Sequence, residues 1–346
     1  MRVTDSQGFQ VGDNNVQVNL LFSGMRPVGP VVAGNVPQAP PAFQPREELM
    51  AQLRAGGAGV RVVTGMRGVG KTQITAAYAR ECRDAGWRLI AWINAENSVS
   101  LLDGLAVVAD RLGVEKSGRT LEDIGTEVRN RLEANGDRCL IAFDNVTDFS
   151  AVQPYTPSLG DAQVLITSTS ARSVGPRRPI QVEVFTEEEA LAFLSDRIEH
   201  HDPDGARAVV KELGSLPLAL GQAAGVISVQ RLSYRVYLER LRSYPTRRYL
   251  PAAGDDPYPL GVAGAILLSV DAVASMDPTG LCQSLLDVMS LLSSDGVSRE
   301  ILYCAERIGV WAAGAEAIDE ALGHLASVSL LKLPSVVMHP LLLCTD

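Results

Sequence analysis

The residues Gly65-Met66-Arg67-Gly68-Val69-Gly70-Lys71-Thr72 match the spacing G-x-x-x-x-G-K-[ST] in full. Glycines at these positions allow backbone turns closed to other residues, so N–H groups can approach phosphate oxygens. The positive end of the following helix adds to that attraction. Lys71 is expected to reach the β- and γ-phosphates, and Thr72 to hold Mg2+. Gly65 through Gln73 are therefore read as a nucleotide cradle. Such a site also needs an acid at the end of a later apolar strand. The stretch "CLIAFDNV" supplies Asp144, which would bind Mg2+ through water. Many hydrolases place a second carboxylate beside that acid. Here the neighbour is Asn145, which can orient water but cannot take its proton at neutral pH. Slow turnover is expected, at most that of a weak ATPase.

Other polar residues sit at informative places. "VLITSTS" sets Thr167 and Ser168 at the end of another strand, at the rim of the pocket. In "GSLPLAL", Pro217 has no N–H and a fixed φ, so it opens a new helix after a Ser215 cap. His339 in "VVMHPLLL" is a lone histidine among apolar residues, and alone it reads as a core residue more readily than as a ligand. His200 and His201 lie in a polar loop and read as surface residues.

The flanking elements are those the cradle requires. "VRVVTG" reads as a buried strand entering the loop, and "KTQITAAYARECRDA" as the helix leaving it. "WRLIAWINA", "RCLIAFDNV", "AQVLITSTS" and "PIQVEVF" read as further strands, with helices over "REELMAQLRA", "VSLLDGLAVVADRLG" and "TLEDIGTEVRNRLEAN" between them. Alternating strands and helices predict a parallel sheet covered on both faces. Capping boxes are expected at Thr120/Asp123 and Thr186/Glu189. After Phe185 the pattern turns helical.

The predicted organisation is a β-hairpin over residues 1–24, a Pro/Gly-rich linker over 25–45 and a nucleotide-binding α/β domain over 46–185. A helical domain follows over 186–247, then a linker over 248–257 and a winged-helix domain over 258–346. The hairpin, turning at Gly-Asp-Asn-Asn, cannot be stable alone and would pair with other chains or a partner; the alternative is a disordered tail. The start lacks the basic and apolar regions of a signal peptide, and the longest apolar stretches fall short of the roughly 18 residues of a membrane span.

The chain of 346 residues is long enough for two or three domains. A formal net charge of -9 argues against a broad nucleic-acid footprint. The cysteines Cys82, Cys139, Cys282, Cys304 and Cys344 form no C-x-x-C pair, which suits reduced thiols in the cytoplasm.

In order, "FQPREEL", "GMRGVGKTQ", "AWINAE", "LIAFDNV", "VLITS", "LGSLPLAL" and "VVMHPLL" resemble the NB-ARC class of STAND nucleotide-binding switches, from about Phe43 to Leu343. The likeness is to the bacterial type that usually carries C-terminal tetratricopeptide repeats. The resemblance implies a P-loop NTPase domain, a helical domain and a winged-helix domain that clamp ADP. Exchange for ATP would open the clamp and drive homo-oligomerisation in signalling or defence, on a protein or ligand trigger. It places Arg46 and Pro217 near the adenine, and Gly70, Lys71, Thr72 and Asp144 on phosphate and Mg2+. It makes His339 the histidine of the MHD motif, on the ADP β-phosphate. Three positions depart from the pattern. Thr169 stands where the family often has a γ-phosphate-sensing arginine, with Arg172 nearby; Asn145 replaces an acid; Pro340 replaces the Asp of MHD. The chain ends just past the winged-helix segment, so the sensor repeats would lie outside it. The alternatives are an AAA-like remodelling motor, which would need a carboxylate beside Asp144, a DNA-binding winged-helix regulator, and a scaffold with a degenerate pocket.

Overall fold

The structure is a computed structural model that describes residues 30–169, 179–199, 201–243, 260–292, 297–307, 309, 311, 313–332 and 337–338. The expected hairpin over residues 1–24, the linker over 248–257, Arg172, His200 and His339 lie outside the described residues.

A six-stranded sheet forms the first layer. Its strands are β1 (Val31–Ala33), β2 (Gly59–Thr64), β3 (Leu89–Asn94), β4 (Cys139–Asp144), β5 (Gln163–Ser168) and β6 (Ile180–Gln181), in the order β1-β3-β4-β5-β2-β6. All pairs are parallel. Every residue of β4 is buried, as a central strand covered on both faces requires. The helices α1 (Glu47–Arg54) and α2 (Lys71–Asp84) cover one face, and α3 (Ser98–Leu112) and α4 (Leu121–Asn135) the other. Strand alternation sorts the side chains: Trp92, Leu140, Ala142 and Leu165 join the α2 side, while Ile93, Ile141, Phe143 and Ile166 join the α3 side.

The sequence reading differs from the structure at four places. Residues 25–45 were expected as a linker, yet Val31–Ala33 pair with Leu89–Ala91 as the edge strand. Its Val31-Val32 pair supplies the β-propensity that the surrounding Pro and Gly conceal. Gly34 ends the strand at φ +80, where an added Cβ would lie 2.0 Å from the Trp92 carbonyl oxygen. Beyond it, Val36 and Phe43 pack on the core and the Arg80 guanidinium lies 6.0 Å over the Phe43 ring. Second, "PIQVEVF" forms only the two-residue β6 before Val182 N–H closes onto the Thr64 carbonyl. Third, a short helix α5 (Phe149–Val152), capped by Asp148, follows β4 where no element was expected. Fourth, Ser215 caps nothing: the N-cap is Leu216, without a side-chain bond, and Ser215 sits at φ 56 with its carbonyl accepting from Phe185 N–H. The helix start is set by the Pro217 ring alone.

The second layer comprises α6 (Glu187–Arg197), α7 (Pro203–Glu212), α8 (Pro217–Gln230) and α9 (Tyr234–Ser243). Both expected capping boxes are present, at Thr120/Asp123 and Thr186/Glu189. Helix α8 is buried from Ala219 to Ile227, with Gln222 the one polar side chain in that run, so it must run through the middle of the packing. A further block follows: α10 (Leu260–Met276), α11 (Leu281–Ser290), α12 (Arg299–Arg307), α13 (Ala315–Ser327), and an antiparallel pair β7 (Leu331–Lys332) and β8 (Val337–Met338). Helix α8 touches this block backbone to backbone. A Cβ on Gly225 would lie 2.8 Å from the Val328 Cα, and Gln222 Nε2 donates to the Ser329 carbonyl at 2.9 Å. Arg197 adds a bond to Ser329 Oγ at 3.2 Å. The apolar core runs without a break from the α2 face of the sheet through α8 to α13. No helix among the described residues is long and apolar enough to cross a membrane.

The substitution Gly34→Ala tests the docking of β1. It combines a left-handed backbone strain of about 1–3 kcal/mol with the clash against Trp92. The expected loss is about 2–4 kcal/mol, read from the urea unfolding midpoint. An unmoved midpoint would mean the segment is not part of the folded sheet.

Candidate functional site

The cradle lies between β2 and α2. Gly65, Gly68 and Gly70 have φ of 148, 80 and 98, conformations that would strain any other residue. Two of them are also hemmed in. A Cβ on Gly65 would meet the Val182 carbonyl oxygen at 2.3 Å, and one on Gly68 would meet Leu218 Cβ at 3.0 Å. At Gly70 there is open space, and no side chain caps the α2 N-terminus there. The loop thus has packed protein behind Gly65 and Gly68 and an uncapped helix end, the arrangement that suits an anion.

Lys71 is the first residue of α2 and is buried. Its Nζ donates to the carbonyls of Gly65, at 2.9 Å, and Met66, at 3.0 Å. Burial pushes the ammonium down to about 8, opposed by the charge of Asp144 and aided by that of Arg67. Thr72, half-buried one residue on, donates its hydroxyl to Asp144 Oδ1 at 2.9 Å. Val69 is buried in the core, whereas Arg67 is exposed and Gln73 half-buried.

Asp144 ends β4 and is buried. Burial pushes its carboxyl pKa up, while the hydroxyls of Thr167 and Thr72, the Asn145 amide and Lys71 pull it down. Thr167 is fully buried. Its hydroxyl donates to Asp144 Oδ1 and accepts from Asn145 N–H at 2.9 Å. Ser168 likewise bonds the Val146 carbonyl at 2.7 Å. Expected at the pocket rim, both hydroxyls instead bond to protein, and Thr167 orients Asp144. Asn145 is exposed at φ 62, a left-handed position that asparagine tolerates better than most residues.

Arg46 was expected beside an adenine. Its guanidinium donates to the carbonyls of Val69 (3.4 Å), Glu183 (2.9 Å) and Val184 (3.1 Å), pairs with Glu189 at 3.6 Å and covers the Phe185 ring at 5.6 Å. It therefore clamps the end of the cradle to the segment entering α6. Pro217 is half-buried at the start of α8, where Leu218 N–H donates to the Gly68 carbonyl at 3.2 Å. The structure thus brings together Arg46, the 65–73 loop, Asp144, Asn145, Thr167 and Pro217. Sequence reasoning passed over Asn94, which lies in register with Asp144 on the neighbouring strand. The signal was available: in "INAE" the apolar run ends in polar residues, as it does in "FDN".

The donor set fits a nucleotide with Mg2+. Thr72 and Asp144 are hard oxygen donors in contact, and a buried carboxylate needs a cation. The uncapped α2 end and Lys71 suit phosphate.

Comparison with known proteins agrees with this reading of the loop. Residues 44–203 match the profile of the NB-ARC domain. A nucleotide-binding leucine-rich repeat (NLR)-like protein of Hyaloscypha variabilis is 24% identical over 202 residues, 51% of this chain and 20% of that protein. A STAND ATPase with a tetratricopeptide repeat sensor from Pyrococcus horikoshii shares the fold, with a TM-score of 0.58 and 15% identity over 88% of this chain and 42% of its own. The chain thus spans only a fifth and about two fifths of their lengths. Residues 44–203 thus match an NB-ARC domain, and the sheet and cradle they form have the architecture of a P-loop nucleotide-binding fold.

Proposed function

We propose that this chain is an ADP-off, ATP-on molecular switch that self-associates when active. The observation that carries the proposal is the bond from Leu218 N–H to the Gly68 carbonyl. It puts the helical layer directly on the phosphate loop, so whatever occupies the cradle bears on α8. From there α8 runs to the turn at Ser329, bonded through Gln222. One rigid helix therefore touches both the cradle and the C-terminal block.

In this reading residues 46–185 bind the nucleotide, 186–247 form the helical lobe and 258–346 a winged-helix lobe that brings His339 to the β-phosphate. The loop from Gly65 to Gln73 holds the phosphates through backbone N–H groups and Lys71. Pro217 packs against the adenine, and Arg46 fixes the loop beside it. Thr72 and Asp144 hold Mg2+, which would neutralise charge on the β- and γ-phosphates. Thr167 keeps the Asp144 carboxylate aimed. Asn145 orients water.

The switch is a population shift. The closed form is favoured by contacts to ADP that only it can make. Complete reversal of a strongly biased pair of states needs about 5.5 kcal/mol of differential binding, within reach of an extra phosphate and its metal. The setting we propose is cytoplasmic bacterial signalling or defence, with a protein or ligand as trigger.

Gel filtration in ADP and in a non-hydrolysable ATP analogue tests the cycle. The wild type should elute as a monomer with ADP and larger with the analogue. His339→Ala should bind ADP about tenfold more weakly and form the larger species in ADP as well. Equal ADP affinity and unchanged elution would remove His339 from the mechanism.

The titration of Lys71 gives a second test. Phosphate favours the charged ammonium, but in the free site half of the lysines are neutral near pH 8. Binding should take up a proton above that pH. ADP affinity should be level below pH 8 and fall by up to about tenfold per unit above it. Calorimetry at pH 8.5 in two buffers of different ionisation enthalpy reads the uptake directly, and identical heats would contradict the assignment of Lys71.

A further inference from the structure

Asn145 leaves the site without a carboxylate beside Asp144 to accept a proton from water. We propose that Glu96 supplies it, reaching the same space from the end of the neighbouring strand. This inference rests on the cradle being a nucleoside triphosphate site.

The placement follows from the sheet. β3 and β4 run parallel with Asn94 in register with Asp144, and pairing continues past the strand end because Ala95 N–H donates to the Asp144 carbonyl at 2.7 Å. Side chains along β3 alternate between the two layers. Trp92 faces the α2 side, Ile93 the α3 side, and Ala95 again the α3 side. Asn94 therefore shares the α2 side with Asp144, whose own strand neighbour Ala142 lies in that layer, and Glu96 follows two residues on, in the turn past the strand end. That side carries the cradle and Thr72. Beyond Glu96 the chain turns away, since Asn97 caps α3 through Ser100 N–H. Two bonds fix the turn: Glu96 N–H donates to Asn94 Oδ1 at 3.0 Å, and the Thr147 hydroxyl donates to the Glu96 carbonyl at 3.3 Å. The second bond ties Glu96 to the loop leaving Asp144.

Other acids of this region hold helix caps or lie at the far sheet edge. Asp148 caps α5, accepting from the Ser150 amide and hydroxyl. Glu189 closes the capping box of α6 and pairs with Arg46. Glu183 follows β6, at the sheet edge opposite β3 and β1. Glu96 is exposed, as a group that meets water at the rim must be.

The step balances simply. The water oxygen attacks the γ-phosphorus and a new P–O bond forms. The bond from that phosphorus to the bridging oxygen breaks, its electron pair leaving with ADP. The water proton passes to a Glu96 carboxylate oxygen and later to solvent. Asn94 and Asn145 flank the water as hydrogen-bonding amides. No redox partner is needed.

The test uses the full chain and Glu96→Gln, which keeps size and hydrogen bonding but cannot take the proton. Three readouts are compared: fluorescent ADP affinity, single-turnover ATP hydrolysis, and the nucleotide released on denaturation after incubation with ATP and Mg2+. We expect ADP affinity within twofold of wild type and hydrolysis slowed by about 100-fold or more, the range of general-base loss. The variant should release ATP where the wild type releases ADP, and Glu96→Asp should recover part of the rate. Hydrolysis at the wild-type rate in Glu96→Gln overturns the proposal, as does a wild type that binds ATP and never cleaves it. Failure of the wild type to bind any nucleotide would instead overturn the switch on which this step rests.

Discussion

The backbone of the phosphate loop is confined on two sides, and the rest of the architecture follows from that confinement. Behind Gly65 stands the Val182 carbonyl, and in front of Gly68 stands Leu218. A side chain at Gly65 would strike that carbonyl, and one at Gly68 would press on Leu218. A cradle built of N–H groups must expose its backbone, and this one does so while wedged between the sheet edge and the first turn of α8. The Leu218 N–H bond to the Gly68 carbonyl is a consequence of that close approach. The apolar surface of α8 gives the contact its stiffness, because a helix buried from Ala219 to Ile227 cannot shift without disturbing the core on every side.

Electrostatics at the site are arranged around one buried anion and one buried cation. Asp144 is held by hydroxyls, not by a paired guanidinium, and Lys71 is held by carbonyls. Each is supported yet neither is neutralised by a direct ion pair with the other. Sites of this kind store an unmet charge requirement that a charged ligand satisfies on arrival. Arg46 plays a different part. It spends its donors on Val69, Glu183 and Val184 and so joins the cradle to α6.

Much of this was readable in the sequence, and the reasons are local. The cradle is a contiguous motif whose spacing encodes its own geometry. The strands Gly59–Thr64, Leu89–Asn94, Cys139–Asp144 and Gln163–Ser168 are apolar runs bounded by polar residues, and the capping boxes are three-residue signals. What escaped depended on contacts across the chain. Val31–Ala33 is too short and too surrounded by Pro and Gly to announce a strand; it exists because the β3 edge is there to pair with. Ser215 has the composition of a cap, but its left-handed turn exists to hand its carbonyl to Phe185. Thr167 was legible as a strand-end hydroxyl, yet only the register of β4 and β5 turns it onto Asp144. Asn94 and Glu96 are polar residues at a strand end like many others until the pairing of β3 with β4 sets them beside the acid.

The central claim is that the Lys71 cradle holds an adenine nucleotide and that the resting molecule keeps it as the diphosphate. The most direct measurement is to denature freshly purified protein and identify what is released by anion-exchange chromatography. The account predicts close to one ADP per chain from the wild type and none from Lys71→Ala. Release of no nucleotide by the wild type, or of equal amounts by the variant, would contradict it.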